Sequence, residues 1–257
     1  MLCAGFGKRM KPYSDKFQKS MIPLHGKPLL EYIINGLILA GFKNFVIVVG
    51  YLKEQIIEYF QTGTKWGINI EYVEQTNING TGGALLLCEK TIKEPHFFLT
   101  WGDVLVSYNV YKEVVDIYTT EHQDYILVTN YSDDPYKGGA VTCEGKYCIS
   151  VLEKPPKGKS KTNLNQCGIF VFSKDIFTVL KSLAPSMRGE IEMTEAINYG
   201  IIEKNWRIRV IKMSLNQFRG DFGDIKVYEH LKKDAQWLKK LSRISINFNY
   251  LTKIGLL

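Results

Sequence analysis

Short apolar runs alternate with helical patterns along the first half of the chain. Three runs rich in apolar and β-branched residues predict strands at 45–49, 68–73 and 97–101. Four segments with apolar residues at helical spacing predict helices at 29–40, 53–60, 82–92 and 108–120. Strands that alternate with helices are typical of βαβ units, so this half predicts a mostly parallel sheet flanked by helices.

The second half has a different pattern. A hairpin is predicted around Glu144-Gly145-Lys146, with its arms at 140–143 and 147–152. Further strands are predicted at 125–130, 168–172 and 206–213, and helices at 176–183, 192–203 and 225–241. No linker or repeat divides the sequence. We therefore predict one α/β domain over residues 1–257, whose second half contributes a mixed sheet.

Composition narrows the class of protein. The chain has 257 residues, 45% hydrophobic and 23% charged, which is ordinary for a globular protein. Its longest apolar stretches are about five residues, whereas a bilayer span needs roughly 20. We expect no membrane association and, since no export signal begins the sequence, a cytoplasmic location.

The five cysteines, without a CxxC pair, are expected to be reduced thiols that serve packing. A net charge of +7 suits nucleic acid or a phosphorylated small ligand.

Two segments near the N-terminus have the composition of phosphate-binding loops. Gly5 and Gly7 form a turn in which backbone N–H groups can approach phosphate oxygens, with Lys8 and Arg9 as countercharges. The turn matches neither a Walker A loop nor GxGxxG, and a tight structural turn explains the glycines as well. Lys19, in a proline-bounded loop ahead of the first helix, fits either a phosphate clamp or a solvated surface.

Further polar motifs follow in a fixed order: Glu74-Gln75, Gly80-Thr-Gly-Gly-Ala84, Gly102-Asp103, Glu153-Lys154-Pro155 and Asp221-Phe-Gly223. Together with the glycine turn and the lysine loop they resemble the sugar nucleotidyltransferases, also called nucleotide-sugar pyrophosphorylases, over residues 2–229. The resemblance implies a Rossmann-like, GT-A-like α/β fold, with a nucleotide-binding half at 1–131, a mixed-sheet sugar-phosphate half at 132–241 and a tail at 242–257. It also implies nucleotidyl transfer from a nucleoside triphosphate to a sugar 1-phosphate, with release of pyrophosphate.

The resemblance assigns nucleotide-binding roles in the first half. Ala4, Gly5 and Gly7 correspond to the turn on the nucleotide, and Arg9 and Lys19 to catalytic cations on the triphosphate. Gln75 and Gly80 correspond to the segment that reads the base; an amide at this position complements uracil or thymine, so UTP or dTTP is favoured. A helix-entry turn is the alternative explanation for the glycines at 80–83.

The metal and sugar positions follow from the same resemblance. Asp103 and Asp221 correspond to Mg²⁺ ligands, and the alternative for each is a capping aspartate at a strand end. The sugar-phosphate site is implied to comprise Gly139, Glu153, Lys154 and Gln166, with Lys154 on the phosphate. A surface ion pair is the alternative for Glu153 and Lys154. The acidic segment 188–194 resembles a hexose-1-phosphate motif or, equally, places charge at a helix N-terminus.

The chain also departs from the family pattern. Lys8 replaces threonine, Gln18 and Ser20 replace the prolines around Lys19, and Arg219 replaces a tryptophan. The first strand is short, and loss of the prolines is expected to loosen the lysine loop. No departure removes a charge that the chemistry needs.

Three other functions remain as alternatives. A non-catalytic homologue could bind a nucleotide sugar as a regulatory subunit, although the retained cations and carboxylates argue against it. A nucleotide-sugar-dependent glycosyltransferase would call for an Asp-x-Asp triplet, which is absent near Asp103 and Asp221. Nucleic-acid binding is disfavoured because the lysines are dispersed. The apolar tail at 244–257 suggests a homo-oligomer contact or packing on the chain's own core.

Overall fold

The computed structural model describes residues 1–241. Its helices are α1 Leu29–Leu39, α2 Lys53–Phe60, α3 Gly80–Leu86, α4 Tyr108–Glu121, α5 Ile176–Ser182, α6 Met193–Lys204, α7 Ile225–Lys233 and α8 Gln236–Leu241. Its strands are β1 Leu2–Cys3, β2 Pro23–Leu24, β3 Lys27–Pro28, β4 Asn44–Val49, β5 Asn69–Glu74, β6 His96–Thr100, β7 Val104–Val106, β8 Ile126–Tyr131, β9 Gly139–Glu144, β10 Tyr147–Glu153, β11 Leu164–Ser173, β12 Arg209–Lys212 and β13 Arg219–Asp221.

The central sheet changes from parallel to mixed along its width. Strands β1, β4 and β5 form a parallel group in the order β1-β4-β5. Leu2 of β1 pairs with Val48 of β4 and also forms a parallel bridge to Trp101, just beyond β6, so β1 lies between β4 and β6. The order then continues β6-β11-β8-β12-β10-β9, in which only the β8–β12 pair is parallel among the described strands. The predicted α/β fold, with a mixed sheet in the second half, is confirmed.

Helices cover both faces of this sheet. One buried cluster joins α1, α4 and α7 to the sheet, and a second cluster joins α3, α5 and α6 to the opposite face. Helix α1 ends as its sequence predicts: Gly41, at φ 100°, follows the last turn, and Phe42 N–H donates to Leu37 O at 3.1 Å. This left-handed glycine cap satisfies carbonyls that the helix end would leave unpaired.

Two predicted helices have different ends in the structure. The helix expected at 225–241 is divided into α7 and α8, because Asp234 adopts an extended conformation and accepts a hydrogen bond from Gln236 N–H at 2.8 Å. The aspartate thus ends one helix and caps the next. Helix α3 stops at Leu86 and is followed by turns, short of the predicted end at 92.

Two strand pairs that the pattern did not predict are β2 with β3 and β7 with β13. The second pair matters for function because Asp103 immediately precedes β7 and Asp221 ends β13. Strand β11 also begins at Leu164, earlier than the predicted 168, and its pairing with β8 is irregular between Gln166 and Phe170. Gly168, at φ 68°, lies at this irregularity, where a side chain would collide with the Trp101 ring.

The cysteines are free thiols, four of them buried, which fits their predicted packing role. No helix within residues 1–241 has the length and apolarity to cross a membrane. The tail at 242–257 lies outside the described residues. The division into halves, the cytoplasmic location and the homo-oligomer stay predictions.

Candidate active site

A cleft of about 590 Å³ opens where the carboxyl ends of β1, β5 and β6 meet the second sheet. This is the edge at which open α/β sheets bind ligands. The cleft is lined by ten of the thirteen predicted site residues: Gly5, Arg9, Lys19, Gln75, Gly80, Asp103, Glu153, Lys154, Gln166 and Asp221. The other three lie behind this lining. Ala4 is buried against Gly50, Gly7 packs on Lys19, and Gly139 packs on Gln166.

The lysine loop is held in place by Gln18. Its side-chain oxygen accepts a hydrogen bond from Ser20 N–H at 2.6 Å, and its Nε2 donates to Cys3 O at 2.5 Å. The loop is therefore tied to β1 by the same glutamine that stands in place of a proline. The expectation that this substitution loosens the loop finds no support in the contacts. Lys19 extends from the loop, and its Nζ lies 2.5 Å from Asp103 Oδ2.

The two candidate metal-ligating aspartates lie at neighbouring strand ends, because Asp103 immediately precedes β7 and Asp221 ends β13. Asp221 is paired with Val104 in the antiparallel β7–β13 ladder, and Phe222 N–H donates to Asp103 O at 2.9 Å. Two carboxylates together with substrate phosphate oxygens are the donor set that Mg²⁺ prefers, so these residues fit the metal. No cluster of three or more acidic, histidine or cysteine side chains suited to a metal occurs within residues 1–241. Phosphate oxygens would have to complete the coordination.

Electrostatics around Asp221 favour its ionised form. Burial would raise the pKa of Asp221, but the charge of Arg219, the N–H of Gly223 and the charge of Lys19 together hold that pKa below its ordinary value. The contacts are Arg219 Nη2 to Asp221 Oδ2 at 3.0 Å and Gly223 N to Asp221 Oδ1 at 2.9 Å. Both oxygens of Asp221 are thus oriented by the protein.

Arg9 lies beside this pair. A Cβ at Gly223 would stand 2.8 Å from Arg9 Nη2 and 3.0 Å from Asp221 Oδ1. The guanidinium of Arg9 therefore lies directly over Gly223. Arg9 is exposed and has no ion-pair partner within residues 1–241. Its charge is therefore available to an anion that enters the cleft.

The candidate base-reading segment is built at the entrance to α3. Gln75 is buried, and its Nε2 donates to Asn79 Oδ1 at 3.0 Å and to Gly80 O at 3.4 Å. Gly80 adopts φ 96°, and a Cβ there would lie 2.7 Å from Ile191 O. Ile191 O also accepts from Gly82 N–H at 2.9 Å, so the loop before α6 is joined to this segment. With both Nε2 hydrogens used, the Gln75 carbonyl is the group left for a ligand.

The residues predicted to bind the sugar phosphate lie on the second sheet, where Glu153 ends β10 and Gln166 lies on β11. Lys154 adopts a left-handed backbone at φ 43°, its N–H donates to Gly138 O, and its Nζ lies 3.4 Å from Glu153 Oε1. Such strain in a non-glycine residue is often found at functional sites. Gln166 is buried on β11, and its Oε1 has no hydrogen-bond partner among the described atoms.

Sequence reasoning missed several polar groups of this cleft. Buried side-chain atoms without a partner within residues 1–241 also occur at five further lining residues: Trp101 Nε1, Asp134 Oδ1, Asn165 Oδ1, Thr194 Oγ1 and Arg219 Nε. Buried polar atoms are normally hydrogen-bonded, so a group of unpaired ones marks a place where a ligand or water binds. Asn165 was adjacent to the predicted Gln166, but no motif distinguished it.

The segment 188–194 packs between Glu153 and the entrance to α3. Arg188 Nη2 lies 2.6 Å from Glu192 Oε1, 3.5 Å from Glu190 Oε2 and 3.6 Å from Glu153 Oε1. Glu190, Glu192 and Thr194 line the cleft, and Thr194 Oγ1 is buried without a partner in the described part of the chain. The arginine thus links this acidic segment to Glu153. Glu192 also stands at the N-terminus of α6. The segment therefore fits both interpretations of its sequence, the hexose-1-phosphate motif and the placement of charge at a helix N-terminus.

Comparison with known proteins identifies the class. The family described as nucleotidyl transferase matches residues 1–236, and the chain belongs to this family. It is 35% identical over 241 residues to the bifunctional protein GlmU of Methanococcus aeolicus, covering 94% of this chain and 54% of that protein. The chain thus spans about half the length of this relative. It is also 32% identical over 201 residues to the UTP–glucose-1-phosphate uridylyltransferase AglF of Haloferax volcanii, covering 77% of this chain and 81% of that protein.

Solved structures share the fold. A putative glucose-1-phosphate thymidylyltransferase from Bacillus anthracis, in complex with sucrose, aligns with a TM-score of 0.82 at 22% identity, covering 96% of this chain and 95% of that one. A UDP-glucose pyrophosphorylase complexed with UDP-glucose aligns with a TM-score of 0.80 at 24% identity, covering 93% of this chain and 97% of that one. The predicted GT-A-like α/β fold is confirmed by these likenesses.

Proposed function

We propose that this protein is a sugar-1-phosphate nucleotidylyltransferase, which joins a nucleoside triphosphate to a sugar 1-phosphate and releases pyrophosphate. The observation that carries the proposal is the convergence of three cations, Arg9, Lys19 and Lys154, with Asp103 and Asp221 in one cleft. Two polyanions must be brought together for this reaction, and fixed positive charge on both sides of the reacting phosphorus is what overcomes their repulsion.

The reaction needs no protein nucleophile. A phosphate oxygen of the sugar 1-phosphate attacks the α-phosphorus in line, a bond to that phosphorus forms, and the bond to the bridging oxygen of pyrophosphate breaks. Arg9 and Lys19 would stabilise the charge on the departing pyrophosphate. Lys154, which follows β10 in the same cleft lining, would orient the attacking phosphate. The attacking oxygen is already ionised at neutral pH, so no general base is required.

Asp103 and Asp221 are the residues that would hold Mg²⁺, which would supply further charge neutralisation of the triphosphate. Lys19 keeps Asp103 in place through their ion pair, while Gly223 N–H and Arg219 fix the rotamer of Asp221.

The base contact favours uracil or thymine. Because the Nε2 hydrogens of Gln75 are donated to Asn79 and Gly80, the amide presents its carbonyl oxygen to the ligand. Uracil and thymine offer an N–H donor on the edge between their two carbonyls, whereas adenine and cytosine offer a ring-nitrogen acceptor at the corresponding position. Guanine also offers a ring N–H, at N1, so this carbonyl selects only against adenine and cytosine. UTP and dTTP are proposed over GTP because of the names of the uridylyl- and thymidylyltransferases cited above.

The sugar is proposed to be a hexose 1-phosphate. Glu153, Gln166 and Thr194 supply acceptors or unpaired polar atoms in the same cleft lining as Lys154, as hydroxyl recognition requires. The relative AglF is named for glucose 1-phosphate, so this sugar is the first to assay.

A panel assay tests the proposal. UTP, dTTP, ATP, CTP and GTP are each combined with glucose 1-phosphate and other sugar 1-phosphates in the presence of Mg²⁺, and pyrophosphate release is measured. We expect release to require both substrates and to be fastest with UTP or dTTP. If every pair fails while UDP-glucose binds in a calorimeter, the chain is the non-catalytic homologue. If UDP-glucose instead donates its sugar to an acceptor, it is a glycosyltransferase.

A further inference from the structure

Tyr13 lies four positions beyond Arg9, outside the cleft lining, and packs against helix α7. Its hydroxyl donates to the carboxylate of Glu229 and accepts from Lys232 Nζ at 3.4 Å. Its ring meets the Tyr228 ring edge to face, with the two centroids 4.7 Å apart. Lys232 Nζ also lies 5.4 Å from the centroid of the Tyr13 ring. Both the polar tip and the apolar body of Tyr13 are therefore bound to one helix.

The part of α7 that Tyr13 contacts is itself fixed to the protein. Tyr228 is buried, and its hydroxyl donates to Pro23 O at 3.0 Å. Pro23 begins β2, shortly after the turn that carries Lys19. Helix α7 in turn begins four residues after Asp221. Tyr13 thus binds a helix that is joined both to the lysine loop and to the segment of the second candidate aspartate.

The chain segment that carries Arg9 and Tyr13 meets the segment around α7 at two separate places. In the cleft, a Cβ at Gly223 would stand 2.8 Å from Arg9 Nη2. Outside the cleft lining, Tyr13 holds Glu229 through its hydroxyl. A single contact would let one segment pivot on the other, whereas two contacts fix both their distance and their angle. The position of Arg9 relative to Gly223 therefore depends on a contact that involves neither residue.

We propose that Tyr13 is a positioning residue that holds Arg9 in place for the triphosphate. This role rests on the proposed function, because it serves the proposed contact of Arg9 with the triphosphate. Tyr13 is not part of the cleft lining, so it acts on the nucleotide only through Arg9. An arginine on a loosened segment must be ordered when the nucleotide binds, and this ordering lowers the affinity. The bond from Tyr13 to α7 completes that ordering before the nucleotide arrives.

Binding of UTP to the full chain, measured by calorimetry with Mg²⁺ and without a sugar 1-phosphate, tests this role without turnover. Tyr13→Phe removes the hydroxyl and keeps the ring. We expect it to weaken UTP binding about fivefold, well within the roughly 100-fold that a misplacement of about 1 Å can cost. In an Arg9→Ala background the same substitution is expected to change UTP affinity by less than about twofold, because a residue that acts through Arg9 has no effect once that side chain is gone.

Matched variants separate this hydrogen bond from general effects on folding. Glu229→Leu removes the acceptor and is expected to match Tyr13→Phe. Glu229→Gln makes the same change of charge but keeps an acceptor oxygen, so it is expected to bind UTP as the unmodified protein does. Tyr59→Phe breaks a comparable bond outside the cleft lining, from Tyr59 Oη to Glu31 Oε2 at 2.5 Å, and is expected to leave UTP affinity unchanged. Melting temperatures show whether each variant is folded.

Equal UTP affinities for Tyr13→Phe and the unmodified protein would overturn the positioning role. So would an equal loss from Tyr13→Phe with and without Arg9, because Tyr13 would then act by another route. If Tyr59→Phe or Glu229→Gln weakens binding as much as Tyr13→Phe, the hydrogen bond is not responsible and the role is likewise refuted. The unmodified protein still binds UTP in each of these cases. Failure of the proposed function is recognised separately, as the absence of UTP binding and of pyrophosphate release in the unmodified protein.

Discussion

Lys19 and Asp103 are 84 positions apart in the sequence, and their side chains meet at 2.5 Å in the cleft. The pair joins the lysine loop to the turn between β6 and β7, so one candidate phosphate-binding cation and one candidate metal-ligating carboxylate hold each other in place. Both side chains are less than a fifth exposed. Fixed charges of this kind need little reorganisation when the substrate arrives, which is the condition for effective electrostatic catalysis.

Removing either aspartate charge tests the proposed metal-binding role. Asp103→Asn and Asp221→Asn are expected to fold normally and to lose on the order of 100-fold or more in turnover, because each supplies a fixed charge at the reacting phosphates. Pyrophosphate release at limiting Mg²⁺ and thermal melting are measured together. Asp124→Asn, outside the cleft lining, is the control. Near-normal activity of either cleft variant at limiting Mg²⁺ would refute its assignment as a ligand.

The two proposed anion-binding roles are distinguished by separate substrate titrations. Arg9→Ala is expected to raise the KM for the nucleoside triphosphate, whereas Lys154→Ala is expected to raise the KM for the sugar 1-phosphate, since each cation is proposed to contact a different anion. Each substrate is titrated with its partner at saturation. Lys157→Ala, a lysine outside the cleft lining, is the control for general loss of positive charge. Equal effects of Arg9→Ala and Lys154→Ala on both substrates would contradict their placement.

Much of the fold could be predicted because its long elements carry a clear pattern. Strand β4 and helices α1, α2 and α4 were evident from apolar runs and helical spacing. The three-residue strands β7 and β13 could not be predicted, because so short a segment shows no measurable alternation of apolar and polar residues. Their pairing is nevertheless what brings Asp103 and Asp221 together.

The residues of the candidate site likewise divide into those that a sequence motif indicates and those that only the folded structure reveals. Motifs in a fixed order indicated Gln75, Asp103 and Lys154, since residue type and spacing carry their chemistry. In the sequence, Gln18 was evident only as a residue in place of a proline. Its hydrogen bond to Cys3 O could not be predicted, because the two positions are 15 residues apart. Asn165 and Trp101 were missed because their signal is a buried unpaired atom, which exists only after folding.

Gly168 is expected to be required for stability and for the shape of the cleft. It adopts φ 68°, and a Cβ there would lie 2.3 Å from the Trp101 ring. Gly158, at φ 70°, has nothing within 4 Å of such a Cβ, so it is a matched control for the backbone cost alone. Gly158→Ala is expected to cost about 1 kcal/mol of unfolding free energy, and Gly168→Ala about 1 to 3 kcal/mol more. Equal unfolding free energies for the two variants, from urea titration, would show that Trp101 relaxes without cost.

Acid stability is expected to depend on Glu121 at the end of α4. Hydrogen bonds from Arg209 and then Lys146 lower the pKa of Glu121 to about 2, from 4.5. A carboxylate with a lowered folded-state pKa stabilises the protein above its unfolded pKa, so this contribution is complete above about pH 4.5 and disappears as the pH falls toward 2. Glu121→Gln is therefore expected to lower the melting temperature at pH 7 and to match the unmodified protein near pH 2. Because the pair is solvent-accessible, the loss at pH 7 is expected to be about 1 kcal/mol or less. A pH-independent difference would assign the effect to packing.

Nucleotide preference is expected to depend on Gln75. Its carbonyl is the free acceptor in a buried amide whose Nε2 donates to Asn79 and Gly80, so it can pair with a ring N–H of uracil or thymine. Loss of one such buried contact costs on the order of 1 to 3 kcal/mol, or roughly five- to hundred-fold in discrimination.

Gln75→Ala is assayed with all common nucleoside triphosphates, and Gln55→Ala is the control. The Gln55 side chain bonds the backbone of Gln18 and Lys16 and lies outside the cleft lining. The preference for UTP or dTTP over ATP is expected to fall in the Gln75 variant and to persist in the Gln55 variant. If the Gln75 variant loses activity equally with every nucleotide, the residue supports the α3 entrance and does not read the base, since a structural defect would weaken all substrates alike.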